Sequence, residues 1–534
     1  MNPSESEMSA APEQSIAGAE RITRRHFVKS AATAAITSAL APAGTRAAES
    51  GAKDSAARQP QLIKTENLKE GARDWQLTRV RIAPLKGLQP GQVYRSPWIE
   101  GYCSRQSVEA GESIDFMVST NPPARFLIEV FRTGYYGGGR GARLMTTLGP
   151  FQGTQQPDPP VVEGQMRECR WEACASVAIP RDWPSGVYLG RLTTMPESGD
   201  QPYWQSYVVF IVRDNRPADI LFQCSDNTWQ AYNRWPDGRS LYTDPRTSCA
   251  PDVSVSFDRP YGKYCQIYEN PQSIGSGEWL CWEFPLAYWL EEQGYDVTYC
   301  SQADMLTAER ALKCRTFLSV GHDEYWDERA YHSVSALRDA GVNLMFLSGN
   351  AVCWVTPFAK SSSGQDNRII TRAAPYGGLA RQPELIHREL YTSAGPDEGL
   401  LMGAVNVMPV NGGGDWICTN PGHWIFEGTG MKQGDCVRGL VGWEFHGEPA
   451  EIPGLEVVAE GGAWQGGTRL QHWTATIYPG PKNNFVFNAA TIFWSQAMSS
   501  PPGHMLPWSH WNRPHGVDDR VQKITENLLR RALA

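Results

Sequence analysis

The six residues Gly321-His322-Asp323-Glu324-Tyr325-Trp326 combine an imidazole, two carboxylates and a phenol. Imidazoles and carboxylates can carry protons, and both can hold a metal ion. The apolar run 316–320 before them is typical of a buried parallel strand, and residues 327–338 after them have the pattern of a helix with acids in its first turn. Because open α/β sheets bind ligands at the carboxyl ends of their strands, the sequence predicts a site here.

Two more loops that follow predicted strands are rich in polar and aromatic side chains. The predicted strand 220–224 is followed by residues 225–235, and the predicted strand 342–347 by residues 348–354. We expect both loops at the same edge of the sheet as His322. Asn350 is a candidate donor to a developing oxyanion. The candidate substrate-binding residues are Asn227, Trp229, Tyr232, Asn233 and Trp354.

Three further side chains later in the chain could take part in catalysis or metal binding. The run 439–446 alternates like a strand, and a period of two would place Glu444 and His446 on one face. Such a pair could ligate a metal or act as acid and base. Cys353 is either an inert buried thiol or a nucleophile.

Each candidate also has a purely structural interpretation. His322 could cap or orient the following helix, and Tyr325 could be a hydrogen-bonded core residue. Glu444 could be a salt-bridged scaffold residue, and Asn350 could support its own turn. Tyr232 and Trp229 could simply pack in the core.

The amino-terminal residues 1–48 are predicted to be a twin-arginine export signal. Arg24 and Arg25 precede an apolar, alanine-rich run over 31–41, which is shorter than the roughly 20 residues of a membrane-spanning helix. We therefore expect a periplasmic or secreted protein with no membrane segment once the signal is removed.

Three regions follow the signal in the predicted domain organisation. Residues 49–94 are predicted to be a linker and lead-in. Residues 95–214 contain short alternating runs at regular spacing, which indicates an immunoglobulin-like β-sandwich. In residues 215–534 strands alternate with helices, which indicates an α/β domain with a parallel sheet.

Charge and cysteine content exclude some partners and suggest others. The net charge of −8 provides no basic surface for nucleic acid. The chain has 12 cysteines, and in an oxidising compartment we expect one or more disulfides beside buried free thiols, with Cys169 and Cys174 close enough in sequence to pair. The spacings of the cysteines do not match those of a zinc site.

Several of these motifs together resemble the large (beta) subunit of N,N-dimethylformamidase and its relatives. The resemblance covers about residues 95–530, and residues 132–138 are similar as well. The α/β part of that family resembles in turn the three-layer glutamine amidotransferase-like fold. The motifs that carry the resemblance are, in order, 227–233 with 240–242, 321–326, 349–350 with Trp354, and 442–444.

The resemblance implies a metal-dependent hydrolase of a small amide, with iron held by two tyrosines and a glutamate. It implies Tyr325 and Glu444 as ligands, but the loop expected to supply the second tyrosine, 351–354, has none. Either Cys353 replaces that phenolate, or a residue such as Tyr376 moves in, or the metal site is altered or lost. The resemblance also implies a partner, either a small subunit or a second copy of the chain.

Three functional hypotheses follow. The first is an exported metal-dependent amidase in which His322, Glu324 or His446 supplies a proton to the leaving amine. The second is a metal-free amidase with Cys353 as the nucleophile. The third is a module that has lost its catalytic residues and binds a glycan or a protein.

Overall fold

The computed structural model describes residues 59–84, 93–198, 200–264, 270–383, 385, 387–507 and 516–534. These residues all belong to one unit of the chain, Ser55–Ala534. The predicted export signal lies outside the described residues, and so do residues 49–58 and 85–92 of the predicted linker. The α-helices are α1 Leu62–Asn67, α2 Asp226–Tyr232, α3 Trp279–Trp282, α4 Phe284–Glu292, α5 Glu328–Ala340, α6 Gly377–Ala380, α7 Gly399–Met402 and α8 Asp519–Ala532.

The amino-terminal part of the described chain is built from two β-sheets. Their strands are β1 Glu100–Cys103, β2 Ser107–Glu109, β3 Ser113–Ser119, β4 Arg125–Tyr136, β5 Arg140–Gln152, β6 Ala173–Ala178, β7 Gly186–Met195 and β8 Gln205–Arg213. One sheet has the order β1-β3-β6 and the other β2-β8-β7-β4-β5. Alternate side chains of both sheets, among them Phe116, Val130 and Phe210, share one buried core. The immunoglobulin-like assignment remains a prediction.

The rest of the chain is organised around a seven-stranded sheet with the order β11-β9-β12-β14-β25-β24-β23. Its first five strands are parallel, and β24 and β23 continue it antiparallel. The strands of this sheet are β9 Ile220–Cys224, β11 Val297–Ser301, β12 Thr316–Gly321, β14 Asn343–Ser348, β23 Glu456–Gln465, β24 Thr468–Pro479 and β25 Phe485–Asn488. The predicted parallel strands are thus confirmed, and the molecule is mixed α/β and rich in strands.

Short strands complete the fold and form small sheets around the site. They are β10 Ser254–Ser256, β13 Tyr325–Trp326, β15 Trp354–Val355, β16 Phe358–Ala359, β17 Ile369–Thr371, β18 Ala374–Pro375, β19 Ala404–Asn406, β20 Gly414–Ile417, β21 Cys436–Val441 and β22 His446–Pro449. β13 pairs in parallel with β15, so the segment after β12 and the segment after β14 are joined directly.

Helix α5 shows how the sequence fixes the site motif at a sheet edge. Asp327 caps its first turn by accepting a hydrogen bond from the Arg329 backbone N–H, and Gly341 ends it in a left-handed conformation. Ala330, Val334 and Leu337 bury one face of the helix. No helix in the described ranges is long and apolar enough to cross a membrane.

The structure differs from the sequence predictions of secondary structure and cysteine pairing at three places. Residues 225–235 were expected as a loop, but α2 occupies most of them. Part of the predicted linker is packed, because α1 forms there and Trp75 and Leu77 are buried. The cysteines of the described residues are all free thiols.

Cys169 and Cys174, which are close enough in sequence to pair, form no disulfide with each other. Cys169 is buried in a cluster with aromatic side chains such as Trp171 and Trp235. Cys174 lies on β6, where its thiol donates to the Phe116 carbonyl oxygen at 3.2 Å. Strand formation thus directs the two sulfur atoms to different neighbours.

Candidate active site

A buried cluster of one imidazole and two carboxylates lies at the carboxyl end of β12. The Nε2 atom of His322 is 2.9 Å from Glu444 Oε2 and 3.2 Å from Glu324 Oε2. One ligand atom from each of the three residues lies within 4.8 Å of the others, which is a geometry that can hold a metal ion. The chain reaches this position through Gly321, whose φ of 67° and contact with Trp282 exclude a side chain.

Several polar atoms in and beside this cluster have no hydrogen-bond partner within the described residues, although they are buried. In the ring of His322, Nδ1 has no such partner, whereas Nε2 forms the close ion pairs with Glu444 and Glu324. Both side-chain amide atoms of Asn350, at the end of the neighbouring strand, are also buried without a partner. An unsatisfied buried polar group costs about 1–3 kcal/mol, so such a concentration at one sheet edge indicates a place for a ligand or an ion.

The charges of the cluster stabilise one another. Burial lowers the pKa of His322, but Glu444 and Glu324 raise it, and the net result lies well above the ordinary value. Burial raises the pKa of the Glu444 carboxyl, against the opposing effect of His322. The geometry is that of one imidazolium shared by two carboxylates.

Three tyrosines and a tryptophan surround Glu324. Its Oε1 accepts hydrogen bonds from the Tyr242 hydroxyl at 3.0 Å and the Trp354 indole at 2.9 Å, and its Oε2 accepts from the Tyr232 hydroxyl at 2.8 Å. The Tyr325 hydroxyl donates to the Tyr242 hydroxyl. Burial and then Glu324 raise the pKa of all three phenols, so without a cation they are neutral donors.

Backbone contacts hold this arrangement in place. The Glu324 N–H donates to Thr228 Oγ1 of α2 at 3.0 Å, and the Glu324 carbonyl accepts from the Cys353 N–H at 2.8 Å. The side chain of Asn227 donates to the Tyr325 carbonyl at 3.2 Å. The loops after β9, β12 and β14 therefore meet at one edge, as the sequence predicts.

Asp323 points into a separate network that braces the motif from the sheet side. Its carboxylate accepts from Ser319 and Gln223 at 2.8 Å each and from Gln302 at 2.7 Å. Burial nevertheless raises its pKa to about 7. These bonds satisfy the carboxylate, so Asp323 positions its neighbours.

The structure argues against His446 as a proton carrier. Its Nε2 accepts from the Ala351 N–H at 3.1 Å, and its Nδ1 lies 2.7 Å from Asn488 Oδ1. Burial lowers its pKa to about 4, so the ring stays neutral. The predicted alternation of Glu444 and His446 on one strand is also wrong, because β21 ends at Val441 and β22 begins at His446.

Two of the predicted substrate-binding residues have contacts within the fold. The Trp229 indole donates to Glu283 Oε2 at 2.9 Å within the main core. The Asn233 amide donates to Gln230 Oε1 and to the Pro260 carbonyl. Both side chains therefore hold the α2 region together.

The two residues proposed as replacements for a missing tyrosine have different surroundings. Burial, then Glu324, raises the pKa of the Cys353 thiol well above its ordinary value, which disfavours a thiolate. Tyr376 stacks on Tyr331 and donates to the Trp326 carbonyl, so it lies in the neighbouring core cluster.

Three residues that the structure brings to the site had no predicted role. Tyr242 contacts both Glu324 and Tyr325. Glu278 is buried near His322, accepts from the Trp282 indole at 3.2 Å, and has a pKa raised by burial to about 8. Arg372 lies against the Tyr242 ring. Tyr242 falls within a resemblance motif, whereas no pattern marks Glu278 or Arg372.

Comparison with known proteins places this site within a matched family region. A family model described as N,N-dimethylformamidase beta subunit-like, C-terminal, matches residues 127–508. No curated protein sequence matches the chain.

Among solved structures, the chain has a weak similarity to a family 123 glycoside hydrolase from Clostridium perfringens, described in connection with glycolipid glycan hydrolysis. The identity is 7%, the match covers 49% of this chain and 48% of that chain, and the TM-score is 0.11. The chain thus spans about half the length of that enzyme. A likeness this weak supports no conclusion about fold or function.

Proposed function

This chain belongs to the N,N-dimethylformamidase beta subunit-like family, and from that premise we propose that it hydrolyses the carbon–nitrogen bond of a small amide with the help of a metal ion. The family suggests a hydrolase that acts on amides. The observation that carries the proposal is the buried cluster of His322, Glu324 and Glu444, together with the unpartnered Nδ1 of His322. A packed core alone does not explain such a cluster.

The donor set fits a cation of hard or borderline character. It offers carboxylate oxygens from Glu324 and Glu444 and an imidazole nitrogen from His322. Tyr325 stands beside these donors with Tyr242 as a second phenol, so we propose Tyr242 in place of the tyrosine missing from 351–354. We propose iron as the ion, as the resemblance implies. A bound ion would polarise the amide carbonyl and lower the pKa of a bound water.

The residues around the cluster have roles that follow from their contacts. Without a bound cation His322 can hold a proton between Glu324 and Glu444, and a cation bound at the same nitrogen would displace that proton. The unpartnered amide of Asn350 can donate to the developing oxyanion. Tyr232 and Tyr242 are only half-buried, so their rings are suited to contact an incoming substrate.

Finer features of the protein remain proposals. We propose export by the twin-arginine pathway to the periplasm, supported by the residues around Arg24 and Arg25. The two-sheet core of β1–β8 supports an immunoglobulin-like domain, and the five parallel strands support a glutamine amidotransferase-like one. Because the family description denotes a subunit, we propose a small subunit or a second copy as partner.

The other two hypotheses have less support. A Cys353 nucleophile would need a thiolate, and the surroundings of its sulfur favour the protonated form. A module without catalytic residues would have no use for two carboxylates and an imidazole buried together at the end of a strand.

A pair of matched tyrosine variants tests the proposal. Amine release from a panel of small formamides and acetamides should fall at least about tenfold in Tyr325→Phe, because that phenol is a proposed metal ligand and donates to Tyr242 beside Glu324. Tyr376→Phe removes a hydroxyl that is equally buried but lies outside the cluster, so its activity should match the wild type. Equal activity of Tyr325→Phe and wild type would contradict the assigned role.

A further inference from the structure

Arg372 is a buried cation whose charge has no carboxylate partner. Its side chain is 0% exposed, and none of the described carboxylates lies within ion-pair distance of it. Its guanidinium donates to the carbonyl oxygens of Leu241 at 2.7 Å and Ser248 at 3.0 Å. Burying a guanidinium without a counter-ion is unfavourable, so the groups around Arg372 must compensate for its charge.

The guanidinium lies against two aromatic rings. Its central carbon is 4.8 Å from the centroid of the Tyr242 ring and 5.1 Å from that of the Trp354 ring. At these distances a cation is attracted by the face of each ring. The bonds to two carbonyls fix the guanidinium, and the guanidinium in turn fixes both rings.

These two rings carry the donors that hold one oxygen of Glu324. The Tyr242 hydroxyl and the Trp354 indole N–H both donate to Glu324 Oε1, at 3.0 Å and 2.9 Å. The carboxylate of Glu324 can therefore rotate only if one of these rings moves. A single guanidinium restrains both rings.

We propose that Arg372 is a positioning residue that fixes the Glu324 carboxylate through Tyr242 and Trp354. Its effect on catalysis rests on the function proposed above, whereas its effect on the geometry of Glu324 does not. Lysine cannot replace it, because an ammonium group is not planar and cannot reach two carbonyls while lying flat against two rings.

The test compares Arg372→Met and Arg372→Lys with a matched control, Arg368→Met. Arg368 lies beside the other end of β17, is 2% exposed, and donates to the carbonyls of Cys103 and Phe257, but it pairs with Asp258. The measurements are kcat and KM for a small amide, the unfolding free energy, and rescue of Arg372→Met by added methylguanidinium. Crystal structures of the Arg372 variants report the Glu324 position directly.

We expect kcat to fall at least about tenfold in both Arg372 variants with KM changed less, and partial rescue by methylguanidinium. Arg368→Met should keep its kcat per folded molecule.

The inference is overturned if Tyr242 and Trp354 keep their bonds to Glu324 in the crystals of the Arg372 variants, or if kcat is unchanged in those variants. If Arg372→Met does not fold, Arg372→Lys decides. A wild type without amidase activity would remove the proposed function, and the crystals would still decide the role of Arg372.

Discussion

At the scale of single residues, burial alone does not distinguish the site residues from structural ones, but the contacts of each buried carboxylate do. Asp323 and Glu444 are both buried carboxylates near the end of the sheet. Three side chains donate to Asp323, whereas Glu444 Oε2 lies 2.9 Å from the imidazole of His322, with which it could hold a metal ion. Asp323 is therefore suited to support the fold, and Glu444 is suited to bind a ligand.

Cys353 provides a residue-scale prediction. Because its thiol is buried beside acidic groups, we expect Cys353→Ala to keep kcat within about threefold of the wild type. Amide turnover is measured beside Cys300→Ala, a control in which another buried free thiol is removed from a different core cluster. Loss of turnover in Cys353→Ala alone would restore the nucleophile hypothesis.

At the residue scale the sequence predicted the acidic and imidazole groups of the cluster but not the side chains that surround them. His322 and Glu324 follow a strand directly, so position along the chain was sufficient to find them. Tyr242 and Arg372 reach the same place from loops far apart in sequence, without periodic pattern, and only tertiary packing brings them together. Glu278 was missed for the same reason.

At the scale of elements, buried strands were the most predictable parts. The apolar runs before Ser225 and His322 became β9 and β12, because a strand buried on both faces needs continuous apolar sequence. The prediction failed at 442–445, where the backbone leaves the strand path. There the Glu444 carbonyl packs so closely on Gly349 that a Cβ would lie 2.3 Å from it. An alternating pattern predicts the face on which a side chain lies only where the strand stays paired with its neighbour.

Glu398 gives an element-scale prediction about pH. Its buried carboxylate joins α6, α7 and β19 by accepting backbone hydrogen bonds from Gly378, Leu379 and Asn406. Burial raises its pKa from 4.5 to about 7, so the fold favours the protonated form. Its contribution to stability is therefore full below about pH 4.5 and is lost as the pH rises through about 7, a change of about 3 kcal/mol.

The measurement is urea unfolding of wild type and Glu398→Gln at about pH 5 and about pH 8. The glutamine variant cannot ionise, so its unfolding free energy should fall less between the two conditions. Parallel pH profiles for the two proteins would show that Glu398 titrates normally in the folded state.

At the scale of the whole molecule, one buried ion pair joins the two-sheet part to the α/β part. Arg132 of β4 contacts Glu291 of α4 through two hydrogen bonds, at 2.7 and 3.1 Å, and both side chains are 0% exposed. Tyr299 also donates to Glu291, at 2.9 Å. The two regions on either side of the predicted domain boundary near residue 215 are thus joined by a buried, hydrogen-bonded ion pair.

The pair yields a prediction for stability. Arg132→Met leaves the Glu291 carboxylate buried without its cation, so we expect the unfolding free energy to fall by about 3–5 kcal/mol. Arg105→Met is the control, because Arg105 and Glu112 form an exposed pair at 3.4 Å whose loss costs at most about 1 kcal/mol. Equal losses in the two variants, measured by urea unfolding, would show that the buried pair does not stabilise the contact between the two regions.

The central claim is that His322, Glu324 and Glu444 hold a catalytic cation. The most direct measurement is the metal content of the purified full-length protein, by elemental analysis with a visible absorption spectrum, beside Glu444→Ala. The proposal predicts about one iron per chain, a phenolate-to-metal absorption band, and loss of both in Glu444→Ala. Wild-type protein that hydrolyses amides while containing no metal would contradict it.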